Sequence, residues 1–162
     1  MKPVVLLLPV LLLLLSSIGR CQEDSPRAAE VKPQPLTPAE QAFAETLTGV
    51  QLIGRYTTWD NVDELQKDTY TLDKVAKLQG DLWMFVARIQ YGDHDAKLPL
   101  PLSVQWAGDT PVITLDKLPV PGFGTFSARI VIHGDQYAGT WDGGDHGGHM
   151  FGRIVPIANS EE

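Results

Sequence analysis

Residues 98–106 read LPLPLSVQW, with Leu98, Leu100, Leu102, Val104 and Trp106 alternating with Pro99, Pro101, Ser103 and Gln105. A period of two sends successive side chains to opposite faces, so this stretch is a strand with one buried and one wetter face. Residues 126–133, FSARIVIH, repeat the pattern: Phe126, Ala128, Ile130 and Ile132 share one parity, Ser127, Arg129, Val131 and His133 the other. Outward from these two runs the chain is punctuated by Gly, Pro and Asp at strand-and-turn spacing. Strands are predicted over 49–59, 69–78, 82–91, 99–106, 110–116, 124–133, 136–142 and 148–156. A turn of helix is allowed between them only at Asp60 to Gln66.

The links at Gln79-Gly80-Asp81, Gly108-Asp109 and Gly134-Asp135 are short enough for hairpins. Short links between consecutive strands favour up-and-down order. The expected fold class is therefore all-β, an antiparallel up-and-down barrel of about eight strands, with a β-sandwich as the alternative. An eight-stranded barrel is wide enough either to be filled by its own side chains or to hold one small ligand. Pro99 and Pro101 qualify closure. Two apart, they remove N–H groups from the same flank, which predicts an edge there, or a seam that doubles as a ligand entrance.

The N-terminal third is organised differently. Lys2, the Leu/Val/Pro run from Val4 to Leu15, and the small residues Ser16, Ser17 and Gly19 have the plan of a secretory signal peptide over 1–21. Cys21 is the single cysteine. It excludes an intramolecular disulfide and stands where a lipid-anchored envelope protein carries its acylated residue, although Arg20 is a poor neighbour for that reaction. Residues 22–36 are rich in Glu, Asp, Pro, Lys and Gln and read as a disordered linker. Thr37-Pro38-Ala39-Glu40 forms a capping box that opens a helix over 37–47, and a single domain extends to 157, followed by a tail over 158–162. The expected location is outside the cell or in the periplasm or envelope, with no membrane-spanning segment in the mature chain.

The chain carries 13 basic and 20 acidic residues, a net charge of −7. Removal of Lys2 and Arg20 with the signal leaves 11 basic residues, a net of about −9. So acidic a chain, with scattered basic residues, has no electrostatic footprint for nucleic acid. Nothing in the sequence specifies an oligomeric state.

Candidate chemistry concentrates in TWDGGDHGGHMFG, residues 140–152. His146 and His149, with Asp142 and Asp145, are residue types that bind a divalent metal ion. The competing reading is a glycine-rich hairpin tip whose Asp and His keep it solvated. A second cluster, Asp93-His94-Asp95, follows the third predicted strand, so His94 would open at the same end of a meander as the 142–148 link. There is no Gly-x-Ser-x-Gly, no His-Glu-x-x-His and no cysteine beyond Cys21, so no catalytic residue is assigned and the protein is read as a non-enzyme. Trp83, Trp106, Trp141 and Tyr137 are candidate walls of an interior site for a small apolar ligand. Arg88 and Arg129, with Arg153, would receive an anionic one if they pointed inward. The alternative class is an envelope structural or interaction module with a filled core.

Leu47-Thr48-Gly49, Gly54-Arg55-Tyr56-Thr57, Gly80-Asp81-Leu82-Trp83, Trp106 to Leu115, Tyr137-Ala138-Gly139-Thr140-Trp141 and Gly147 to Ile154 together resemble a family of secreted proteins from planctomycete-type bacteria to which no activity is assigned. That resemblance covers residues 47–155 and implies compartment and body plan. Leu47-Thr48-Gly49 after a short helix, with Tyr137 to Trp141 late in the chain, also resembles the calycins, the lipocalin-like barrels. This implies a small-ligand-binding barrel, although Gly54-Arg55-Tyr56 stands where lipocalins have Gly-x-Trp.

Overall fold

Eight runs of alternating residues become eight strands in the computed structural model, which describes residues 35–91 and 94–157. In order these are α1 (Pro38–Thr46), β1 (Val50–Thr58), β2 (Asn61–Gln79), β3 (Leu82–Tyr91), β4 (His94–Ala107), β5 (Thr110–Val120), β6 (Gly124–His133), β7 (Gln136–Asp142) and β8 (Gly147–Pro156). Each strand pairs antiparallel with the next, and β8 pairs with β1, closing an up-and-down barrel rather than a sandwich. The signal-like segment, Cys21 and nearly all of the linker lie outside the described residues, as do Asp93 and the 158–162 tail. Among the described residues, no helix is long and apolar enough to cross a membrane.

Parity decides the inside. Leu100, Leu102 and Val104 of β4 are buried, as are Trp83, Phe85 and Ala87 of β3 and Ile132 of β6. The core runs the length of the barrel, and α1 plugs one end of it. Thr37 caps the helix: its hydroxyl accepts from the Glu40 N–H (3.3 Å) while the Glu40 carboxylate accepts from the Thr37 N–H (2.9 Å). Glu40 also pairs with Lys77 of β2, whose ammonium holds its carboxyl below the ordinary range. With the helix so oriented, the buried Phe43 ring meets Trp83 edge-on at 5.0 Å and Trp106 at 5.8 Å. Burying such a ring contributes about 2–3 kcal/mol. The links that follow odd-numbered strands leave the opposite end, so that end is the mouth.

One expectation changes and another is narrowed. The segment at Asp60 to Gln66 is no helical turn: β2 already begins at Asn61, and the β1–β2 register shifts between Tyr56 and Thr58 to absorb extra residues. Of the two expectations for Pro99 and Pro101, an edge or an open seam, the edge is what the barrel has. The two prolines stay in register with Val86 and Met84 of β3, whereas the β4–β5 ladder starts only at Ser103. The flank without N–H groups is thus accommodated where β4 runs past its second partner.

Candidate functional site

Inside the mouth half of the barrel lies a cavity of about 220 Å³. Its deeper wall is aliphatic and aromatic, from Leu52, Leu72, Phe85, Ala87, Leu102 and Ile113. Toward the mouth the lining includes Val120 and Phe123 of the β5–β6 link, Phe126, Trp141, Met150 and His146. The Phe123 N–H donates to the Val120 carbonyl (3.0 Å), which folds this link inward. A more open depression of about 420 Å³ lies beside α1, against Trp106, Asp109 and His133. It is a groove on the plugged end, and its lining mixes polar and apolar groups, so the barrel cavity is the better-formed site.

His146 stands on the β7–β8 link. Its Nδ1 is 2.6 Å from Asp145 Oδ1, and its ring packs edge-on against Trp141 at 5.4 Å and Phe126 at 6.4 Å. The hydrogen bond to His146 holds the Asp145 carboxyl below its ordinary range. The glycines around it serve two ends. Gly144 has φ 96°, a true turn position, and its N–H donates to Asp142 Oδ1 (2.7 Å). Gly147 and Gly148 have no positive φ. Both are buried strand residues, and a Cβ on Gly147 would lie 2.7 Å from Trp59 Cε2 while one on Gly148 would meet the Thr57 backbone. They let β1 press onto β8, where the Trp59 N–H donates to the Gly147 carbonyl (2.7 Å).

Behind the cavity wall sits a buried polar layer. Tyr137 reaches from β7 across β8 and β1 to β2, where its hydroxyl donates to Asp68 Oδ1 (3.4 Å). The ring passes over Gly152 and Gly54, whose missing side chains make the corridor. A Cβ on Gly152 would lie 2.7 Å from Tyr137 Cε1, and one on Gly54 would collide with the hydroxyl. Asp68 is only 3% exposed, and its Oδ2 has no hydrogen-bond partner among the described residues. Burial pushes its carboxyl above the ordinary range, against the opposing pull of the Tyr70 and Tyr137 hydroxyls. Burial likewise pushes both phenols up, so they remain protonated donors.

Of the residues singled out as interior ligand contacts, Trp141 lines the cavity and the others do not. Trp83 and Trp106 belong to the plugged end, and Tyr137 lies in the polar layer. Arg88 and Arg129 point outward because Ala87, Ile89, Ala128 and Ile130 occupy the inward parity. Arg88 forks onto Asp95 (2.7 and 2.6 Å), Arg129 pairs with Asp116 (2.5 Å), and Arg153 pairs with Asp135. The metal reading is not assembled either. His149 sits in register with Thr140 on the exposed face of β8, its N–H donating to Thr57 Oγ1 (3.1 Å), away from His146. His94 opens β4, on the same end as the 142–148 link. Among the described residues no three His, Cys, Asp or Glu side chains are gathered to hold an ion. Cavity residues that sequence reasoning missed include Tyr56, Tyr70 and Phe123. Parity signals the inward aim of Tyr70, but nothing local signals its depth. Comparison of the chain with family models, curated proteins and solved structures found no match.

Proposed function

We propose that this protein is a secreted, non-catalytic, lipocalin-like binder that takes one small apolar molecule into its barrel. The observation that carries the reading is the cavity itself, about 220 Å³ inside a barrel plugged at one end by α1 and lined almost wholly by hydrocarbon. A well-packed interior leaves few voids larger than a water molecule, and an apolar cavity of roughly 150 Å³ is enough to stay dry and take up benzene. The signal-like plan of residues 1–21 supports export.

The test is calorimetric titration of the purified protein with naphthalene, a two-ring hydrocarbon of suitable size. Saturable one-to-one binding is expected with Kd on the order of tens of micromolar, about 0.6 kcal/mol per carbon atom. Native mass spectrometry of the same sample, compared with its denatured mass, would reveal a co-purified ligand. No heat from naphthalene and no mass excess would return the protein to the class of filled structural modules.

A further inference from the structure

We infer that the molecule taken up is uncharged: an apolar body with one hydroxyl group, held at the mouth by His146, with carboxylates rejected. This rests on the reading of the cavity as a ligand site. The first ground is the wall. Among the described residues it includes no Lys or Arg, and its polar groups are the hydroxyls of Tyr56, Tyr70 and Ser127, the Trp141 indole and the His146 ring. Tyr56 already donates to Gln66 Oε1 (2.7 Å), and Ser127 Oγ accepts from the Lys117 N–H (3.0 Å). Arg88, Arg129 and Arg153 are outside and engaged with Asp95, Asp116 and Asp135. An anion drawn into this space loses its hydration and meets no lysine or arginine, which is the costly form of burial. Asp68, behind Tyr70, and the exposed Asp142 and Asp145 at the mouth add like charge rather than relief.

The second ground is the orientation of His146. A carboxylate only accepts, so the 2.6 Å contact with Asp145 places a proton on Nδ1. In the neutral imidazole the other nitrogen, Nε2, is then a lone-pair acceptor. Trp141 and Phe126 hold the ring edge-on at the cavity's rim, where it forms part of the wall. A ligand hydroxyl supplies the matching proton. A carboxylate brings none, and neither does an ether.

Three probes with the same chain separate these grounds: 1-octanol, its isomer heptyl methyl ether, and octanoate at neutral pH, each titrated into the purified protein. Octanol should bind about three- to tenfold more tightly than the ether, the worth of one neutral hydrogen bond. Octanoate should bind at least about tenfold more weakly than octanol. In His146→Phe, which keeps a ring against Trp141 and Phe126, the advantage of octanol over the ether should disappear, whatever the change in the ether's own affinity. A Tm and circular dichroism spectrum close to the parent's show that the variant is folded. Octanoate binding as tightly as octanol, or an octanol advantage that survives His146→Phe, would overturn the inference while leaving the cavity a binding site. If neither octanol nor the ether binds, the binding-site reading fails and takes the inference with it.

Discussion

Filling the cavity from within separates a binder from a filled barrel. Ala87, on β3, is 3% exposed, lines the cavity and lies in register with Leu72 and Leu98. Ala87→Leu adds three carbon atoms. At about 0.8 kcal/mol for each buried methylene they contribute at most about 2.4 kcal/mol, from which ordering the longer side chain removes about 0.5–1 kcal/mol. The expected net is a stabilisation of about 1–2 kcal/mol, because a void of about 220 Å³ accepts the added volume without displacing a neighbour. In a domain of this size that raises Tm by about 4–8 °C, measured by calorimetry or circular dichroism. Naphthalene affinity should fall at least about tenfold in the same variant, since the two compete for one space. A destabilisation of about 1–3 kcal/mol, the usual cost of overpacking, would refute the reasoning, because it would mean that the wall at Ala87 is already full.

Two further outcomes test the polar layer. Gly54→Ala puts a methyl group into the Tyr137 hydroxyl and the Phe151 carbonyl, and should cost about 2–4 kcal/mol in chemical denaturation. Adding Tyr137→Phe should return part of that loss, and a cost under about 0.5 kcal/mol for Gly54→Ala would show that no ring crosses there. Asp68 makes pH the second lever. Its carboxyl is raised by burial, so the folded chain holds this proton more tightly than the unfolded chain. The stability from this group is complete below the ordinary carboxyl range and is lost as pH rises through the folded value. Asp68→Asn removes the dependence, so its stability relative to the parent should increase from acid to neutral pH. A difference that stays flat with pH, or that runs the other way, would contradict burial as the dominant influence.

Strand identity was legible wherever one face of a strand is buried. The expected spans at 82–91, 124–133 and 136–142 coincide with β3, β6 and β7, and the link geometry led correctly to an up-and-down closed barrel. The first half of β2 was not legible for the same physical reason. Asn61 through Lys67 are all exposed, so no buried parity marks them as a strand. Parity also carries only half of a site. It tells that Trp83, Trp106 and Trp141 all point inward, but not that the first two meet Phe43 edge-on while the third reaches the cavity. Parity could have settled the arginines, since Arg129 alternates with the buried Ala128. The glycines of 143–148 look alike as letters. One turns the chain, and two admit β1, a distinction that depends on Trp59 and Thr57, nearly ninety residues away.

The barrel closes through the ladder between β1 and β8, while every other ladder joins neighbours in the chain. That arrangement sets an order of events in folding. Seven ladders can zip from hairpins with short loops, whereas the last pairs Gly54 with Gly152 at a sequence separation of about a hundred residues and carries the largest single loop-closure cost. Tyr137 lies over this last ladder, anchored on β7 and bonded to Asp68 on β2, so its ring ties together the strands on either side of closure. The contact seen in the native barrel as a weak buried hydrogen bond is, in kinetic terms, a clasp: it forms once the cylinder is complete and must be released before it reopens.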